Sequence, residues 1–263
     1  MFFVLSLSSS FGRVFFCPPA KCACAIDHFL RVLSICNFFP FRFFILQKKS
    51  AMLFDLREDY GAGSLDATDL CNDPFAQFHE WFQDTLRVGV KEPNAMTLAT
   101  ATPDGKPSAR VVLLKDYSSA GFTFFTNYES RKGQELLANP QAALVFLWLD
   151  LQRQVRLEGV VAKMSTEASE AYFHSRPRGS QVGAWASPQS RVIPGREVLE
   201  KSVQEIESRF EHSDKLPLPA FWGGFLLRPD LVEFWQGRSS RLHDRFRYAL
   251  QPDGTWNIER LAP

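Results

Sequence analysis

The sequence predicts a mainly β protein with flanking helices, its strands arranged as an antiparallel barrel or sandwich. Two observations carry this expectation. From Ala95 onward, short alternating or continuously apolar runs recur at close spacing and are separated by Gly, Pro, Asn and Asp turn signals. No G-x-G-x-x-G opens a strand-to-helix unit, which argues against a nicotinamide-binding Rossmann domain.

Taken in order, residues 53–73 are polar and without period, and read as a loose arm. Asp73-Pro74 is a helix start, and Phe75, Phe78, Trp81, Phe82 and Leu86 form a helical apolar stripe through about Val88 that reads as core. Strands follow at Met96–Ala101, Ser108–Leu114, Gly121–Thr126, Ala142–Trp148 and Gln154–Met164, the first pair joined across Pro103-Asp-Gly105. A short helix over Ser130–Ala138 interrupts them and stops at Asn139-Pro140. Two more helices, Thr166–Ser175 and Gly195–Phe210, precede strands at Gly223–Leu227 and Leu231–Gln236. No internal repeat is evident.

A 263-residue chain with 45% apolar and 14% aromatic residues can bury a sizeable core. Its net charge of +1 lacks the basic footprint of a general nucleic-acid binder. The first 51 residues stand apart: they hold eleven of the 25 Phe, four of the five Cys, six basic residues and one acid, Asp27. Residues 52–263 therefore read as a single domain, and residues 1–51 as an atypical extension. Three readings of the extension stay open: an organelle transit peptide, a secretory signal, or a gene-model artefact with translation starting at Met52. Arg13, Lys21, Asp27, Arg31 and Arg42 interrupt any membrane-spanning stretch there. Cys22-Ala-Cys24 is too tight for the usual zinc pair and has no second pair, so no metal site is expected. The lone Cys71 of the main body predicts a reducing, cytoplasmic setting without a disulfide framework.

The most informative stretch is Trp235-Gln-Gly-Arg-Ser-Ser-Arg-Leu-His-Asp-Arg-Phe-Arg247. Read as a strand, it puts Arg241, His243, Arg245 and Arg247 on one face, with Leu242, Phe246 and Tyr248 opposite and Asp244 among them. Such a cationic face requires an anion to offset its repulsion, and a ligand is expected to supply it.

This run, with Arg241-Leu-His-Asp-Arg245 and the closing Glu259-Arg-Leu-Ala-Pro263, resembles the C-terminal signature of the pyridoxine (pyridoxamine) 5'-phosphate oxidase family. The resemblance extends over most of residues 52–263. It includes Ala109-Arg-Val-Val-Leu-Leu-Lys115, Phe124-Phe-Thr-Asn127, Ser130-Arg-Lys-Gly133, Arg153-Gln-Val-Arg-Leu-Glu-Gly159, Tyr172-Phe-His-Ser-Arg-Pro177 and Ser187-Pro-Gln-Ser190. It implies an FMN-binding split β-barrel that forms a homodimer with flavin at the interface. The activity implied is oxidation of pyridoxine 5'-phosphate and pyridoxamine 5'-phosphate by dioxygen to pyridoxal 5'-phosphate, with hydrogen peroxide and, from the amine, ammonia. Neither a nucleic acid nor a membrane is an expected partner. The competing readings are a non-catalytic carrier of FMN or pyridoxal phosphate, and a split-barrel flavin oxidoreductase with another substrate.

The resemblance also implies site residues. FMN falls to positions Arg110, Val111, Val112, Leu113, Phe125, Thr126, Arg131, Lys132, Gln154, Gln189, Ser190, Trp235 and Arg245. Independently of it, Arg131-Lys132 opens a predicted helix, where free N–H groups and the dipole favour phosphate, although on its own such a pair is more often solvated at the surface and the resemblance reverses that reading. The substrate phosphate falls to Lys115, Tyr172, Arg176 and Ser180, and Tyr172 and Arg176 stand four apart on a predicted helix. Arg241 and His243 match residues at the reacting ring, and Arg57 and Tyr60 match an arm that closes over the site. Flanking cations are expected to lower the His243 pKa, leaving a neutral imidazole to accept or orient a substrate hydrogen bond.

Overall fold

In the computed structural model, Leu56 and residues 58–263 are described; the expectations for residues 1–51 and for Arg57 lie outside the described residues. Asp73 caps helix α1 (Pro74–Val88) by accepting the Ala76 N–H, and Gly89, at φ 79°, ends it in the left-handed conformation that glycine adopts without Cβ strain. The strands are β1 (Ala95–Ala101), β2 (Pro107–Leu113), β3 (Asp116–Ser118) and β4 (Gly121–Asn127). After helix α2 (Arg131–Ala138) come β5 (Gln141–Trp148) and β6 (Arg153–Lys163). Helices α3 (Thr166–Ser175), α4 (Arg178–Ala186) and α5 (Arg196–Arg209) follow, then β7 (Trp222–Gln236), β8 (Asp244–Leu250) and β9 (Trp256–Leu261).

The strands pair antiparallel in the order β2-β1-β5-β6-β7-β4-β3, and β8 and β9 extend from β7. The sheet curls until β2 touches β4, which gives the expected split barrel. Helix α1 covers one side. Phe78 is fully buried, within 6.0 Å of the rings of Phe82, Tyr117, Phe122, Phe146 and Trp148. Burying a ring of this size contributes about 1.5–3 kcal/mol, so Phe78 and Trp81, with Phe75 and Phe82 packed against them, are core as the period predicts; Leu86, expected with them, is exposed in the last turn, and Thr85 takes the buried position. A second apolar cluster of Phe173, Val182, Leu216 and Trp222 joins α3 and α4 to the start of β7.

Four differences from the sequence reading matter. The two predicted strands at 223–227 and 231–236 are one 15-residue strand, in which Pro229 is accommodated at the irregularity where the β6 register slips between Glu158 and Gly159. The stretch 178–186, to which the sequence reading gave no element, is helical. So are three residues at Ser239–Arg241, in a 3-10 turn, and the cationic strand begins only at Asp244. Finally, β3 and β9 are short strands that composition does not announce.

Candidate active site

A cavity of about 470 Å³ opens where β2, β4, α2, α3 and α4 meet. It gathers Val111, Val112, Leu113, Lys115, Phe125, Thr126, Lys132, Tyr172, Arg176, Ser180 and Gln189, all predicted site residues, together with Pro177 and Trp222. Three of these side chains are cations and none is a carboxylate. On the α2 side, Gly133 is obligatory, since a Cβ there would collide with the Tyr128 and Asn127 carbonyls. Ser130 caps the helix, and Lys132 in its first turn reaches Thr126 Oγ1 at 3.1 Å and Gln189 Oε1 at 2.8 Å. Burial and the nearby Arg110 lower the Lys132 pKa.

The opposite wall is aromatic. Phe125 stacks on Tyr172 at 3.9 Å between centroids and on Trp222 at 5.5 Å. Arg176 lies over the Trp222 ring at 4.7 Å, and its buried Nη1 has no hydrogen-bond partner among the described residues. Burial lowers its pKa. A buried guanidinium nitrogen left unbonded is costly, and the residue that carries it lines the cavity. Arg176 is one residue past the end of α3, in extended conformation, so it meets Tyr172 through the chain's exit and not through a shared helical face.

Arg110 and Arg131 do not line this cavity. Both turn to Glu135, a buried carboxylate of α2: Arg131 Nε donates to Oε1 at 2.8 Å and Arg110 Nη2 stands 3.5 Å from Oε2. Burial pushes the Glu135 carboxyl up, but hydrogen bonds from Ser108 and Thr100 and the bond from Arg131 outweigh it and hold the pKa at about 2. Sequence reasoning missed Glu135 and Trp222. The i, i+4 spacing of Arg131 and Glu135 was available as a signal.

The remaining candidates form a second group. In register, Gln154 of β6 stands opposite Trp235 of β7, which stands opposite Arg245 of β8, so the three make one rung. The rung's cation is already paired: Arg245 donates to Glu233 Oε1 at 2.9 Å, and this bond raises its pKa. Arg156 donates to the same buried carboxylate at 2.8 Å, and Arg247 pairs with Glu259. Protein carboxylates therefore supply the anion that the sequence reading assigned to a ligand. Asp244, on the other face, is fastened by Arg238 and Arg260.

Arg241 and His243 are not strand residues. Ser240 and Arg241 have φ of 55° and 60°, and this left-handed pair breaks the alternation, leaving Leu242 exposed and not in the core. Arg241 is exposed. The His243 ring packs at 4.5 Å on Trp235 and 5.8 Å on Tyr60. Burial first, and Arg241 second, lower its pKa. Its Nδ1 accepts the Arg238 N–H at 3.1 Å, so in the neutral ring the proton sits on Nε2; of the two roles expected, accepting or orienting a substrate hydrogen bond, a ring in this tautomer is left with a donor. Ser190 follows Gln189 at φ 72° and is exposed. None of Tyr60, Gln154, Ser190, Trp235, Arg241, His243 and Arg245 lines the cavity of the same chain.

A curled antiparallel sheet with an aromatic, carboxylate-free cationic cavity defines a split-barrel protein built to hold anionic ring compounds. Residues 82–210 match the family described as pyridoxamine 5'-phosphate oxidase, and residues 222–263 match the pyridoxine 5'-phosphate oxidase C-terminal dimerisation region. The pyridoxine/pyridoxamine 5'-phosphate oxidase of Cupriavidus necator is 58% identical over 211 residues, 80% of this chain and 99% of the relative. That of Trichormus variabilis is 55% identical over 209 residues, 80% of this chain and 97% of the relative. Among solved structures, PhzG from Burkholderia lata 383, bound to tetrahydrophenazine-1-carboxylic acid, aligns with a TM-score of 0.70 and 30% identity, covering 76% of this chain and all of that one. A pyridoxamine 5'-phosphate oxidase-related FMN binding protein from Nostoc punctiforme shares the fold, with a TM-score of 0.56 at 18% identity over 74% of this chain and all of that one. The chain belongs to the pyridoxamine 5'-phosphate oxidase family of FMN-binding split-barrel proteins. Among the described residues no helix is long and apolar enough to cross a membrane.

Proposed function

We propose that this chain oxidises pyridoxine 5'-phosphate and pyridoxamine 5'-phosphate to pyridoxal 5'-phosphate, with dioxygen as final acceptor and hydrogen peroxide as by-product; the amine also consumes water and releases ammonia. The observation that carries this reading is the cavity itself: Lys115, Lys132 and Arg176 line it and no carboxylate does. Its donor set and aromatic walls fit a phosphorylated flavin beside a phosphorylated pyridine.

In this reading Lys132, Thr126, Gln189 and the 111–113 segment hold FMN, with Ser190 beside Gln189 and Phe125 as a wall. Arg110 and Arg131, kept on Glu135, supply positive field from behind. FMN, when bound, provides the two-electron acceptor for hydride leaving the substrate's exocyclic carbon. Lys115, Tyr172, Arg176 and Ser180 grip the substrate phosphate and so fix the ring's distance and tilt. The chain acts as a homodimer, and Gln154, Trp235, Arg241, His243 and Arg245 of one protomer complete the cavity of the other. This accounts for their separation from the cavity within one chain. Neutral His243 donates from Nε2 to the substrate and Tyr60 covers it, while Arg241 steadies the ring's negative charge.

The experiment is an absorption spectrum of the purified protein, followed by aerobic addition of pyridoxine 5'-phosphate. Flavin bands and stoichiometric peroxide are expected. Flavin without peroxide would make the protein a carrier, and turnover confined to other ring substrates would make it a different split-barrel oxidase.

A further inference from the structure

The arm that carries Tyr60 is held at several points, the Ser240 N–H donating to Asp59 Oδ1 at 3.1 Å among them, and one of its anchors is a residue to which no role has been given. Gln152 ends the short 3-10 turn Leu149–Leu151 in the left-handed conformation, φ 52°, ψ 43°, one residue before β6. Its Oε1 accepts two consecutive backbone N–H groups of the arm, Gly61 and Ala62, each at 2.9 Å. Its main-chain oxygen accepts the Gly237 N–H at 2.8 Å, and Gln236 Nε2 stands 3.3 Å from the same oxygen. Gln152 thus ties the arm with its side chain and the Trp235-Gln236-Gly237 segment with its backbone. Tyr60 lies between these two attachments, its ring 5.9 Å from Trp235 and 5.8 Å from His243, packed against Gly237 so closely that a Cβ there would strike it.

Left-handed backbone at a residue other than glycine is strained and is retained where the surroundings over-determine it. A glutamine side chain is also a flexible group to immobilise. Here its amide oxygen has both lone pairs used by adjacent peptides, which holds the arm in a single register. A carboxylate in the same place could accept the same pair. Glycine would keep the turn and lose the acceptor.

We infer that Gln152 is a positioning residue: it latches the 60–62 arm to the Trp235–Gly237 segment so that Tyr60 stays over Trp235 and His243. This deepens the proposed function and rests on its placement of Tyr60 and His243 at the reacting end of the substrate. The latch acts on the arm and not on the flavin phosphate, so the two are separable by measurement.

The test uses the full-length flavin-loaded protein and its Gln152→Gly and Gln152→Glu variants. Amide hydrogen exchange of the 58–64 segment reads the latch directly. Gln152→Gly is expected to speed exchange at Gly61 and Ala62 at least tenfold and to raise KM for pyridoxine 5'-phosphate several-fold, with FMN affinity and exchange in β6 unchanged. Gln152→Glu is expected to restore protection and most of the KM. Unchanged exchange at Gly61 and Ala62 in Gln152→Gly would overturn the latch. Faster exchange with unaltered kinetics would overturn the positioning role by removing the arm from the site, and leaves the oxidase reading standing. If the parent holds FMN but turns over neither vitamin B6 phosphate, the proposed function itself fails, whatever the exchange shows.

Discussion

In the cavity Lys115, Lys132 and Arg176 face open space without a carboxylate among them, whereas on the β6-β7-β8 rungs Arg156 and Arg245 share Glu233 and Arg247 ends on Glu259. Both regions are rich in cations, yet the sequence alone makes the rungs look the more anion-hungry of the two. The difference teaches that the count of basic residues says little; what matters is whether the fold delivers a carboxylate to each. A half-buried cation with no partner keeps its desolvation cost until a ligand offsets it, whereas a paired one is already satisfied.

The largest way to break this contrast is Arg176→Ala. Each lost charge-assisted hydrogen bond to a substrate phosphate costs roughly 1.5–3 kcal/mol, or about tenfold to a hundredfold in apparent affinity. KM for pyridoxine 5'-phosphate is expected to rise by that factor with a smaller fall in kcat, while unphosphorylated pyridoxine, a poor substrate, barely responds. Steady-state kinetics on both substrates check it. Equal losses would remove Arg176 from the phosphate site.

Arg245→Trp probes the paired region. The substitution strips one of two arginines from buried Glu233 and crowds the rung beside Trp235. FMN affinity, titrated on the apoprotein, is expected to weaken about tenfold through the lost charge-assisted bonds. Unchanged affinity would confine Arg245 to a structural ion pair.

Glu135 sharpens the comparison by pH. Its pKa of about 2 lies below the ordinary 4.5, so the folded state binds fewer protons than the unfolded one between those values. The stability this contributes is present above about 4.5 and lost as pH falls toward about 2. Denaturant melts in that window should show Glu135→Gln with a shallower decline than the parent, and identical slopes would contradict the assignment.

His243 should give a smaller effect of related sign. Its lowered pKa keeps it neutral down to pH values below the ordinary 6.5. Substrate kcat/KM is therefore expected to hold through 6.5 and to fall only at lower pH, as the Nδ1 that accepts the Arg238 N–H takes a proton. A His243→Asn profile that retained the same acid limb would exclude this ring as its origin. The smallest change is expected from deleting residues 1–51: the 52–263 chain should keep flavin content and dimer mass, and loss of either would make the extension structural.

Much of the cavity was legible because its residues lie in contiguous strings that carry the family resemblance and whose local structure is easily read. Ser130-Arg-Lys-Gly133 is a cap and first turn, and Tyr172 to Arg176 is a helix end. Arg110 was harder. On the sequence it is the cation of an apolar strand, and only the approach of α2 shows that Glu135 takes it. The 239–243 stretch misled for a local reason: period two assumes extended backbone, and left-handed Ser240 and Arg241 cancel the alternation, which Ser-Ser-Arg does not advertise.

By itself, then, the sequence determined the antiparallel strands and most of the buried stripe of α1, because these follow from short-range period and turn chemistry; the cavity residues Lys115, Tyr172, Arg176 and Ser180 were named through the family resemblance. The tertiary structure alone decided which cations stay unpaired, that Gln154, Trp235 and Arg245 form one rung, and that Gln152 bridges the arm and Gly237. Those are facts of register and of contact between segments as much as 91 residues apart, as Gly61 and Gln152 are, and they depend on how the sheet curls and not on any local run of residues.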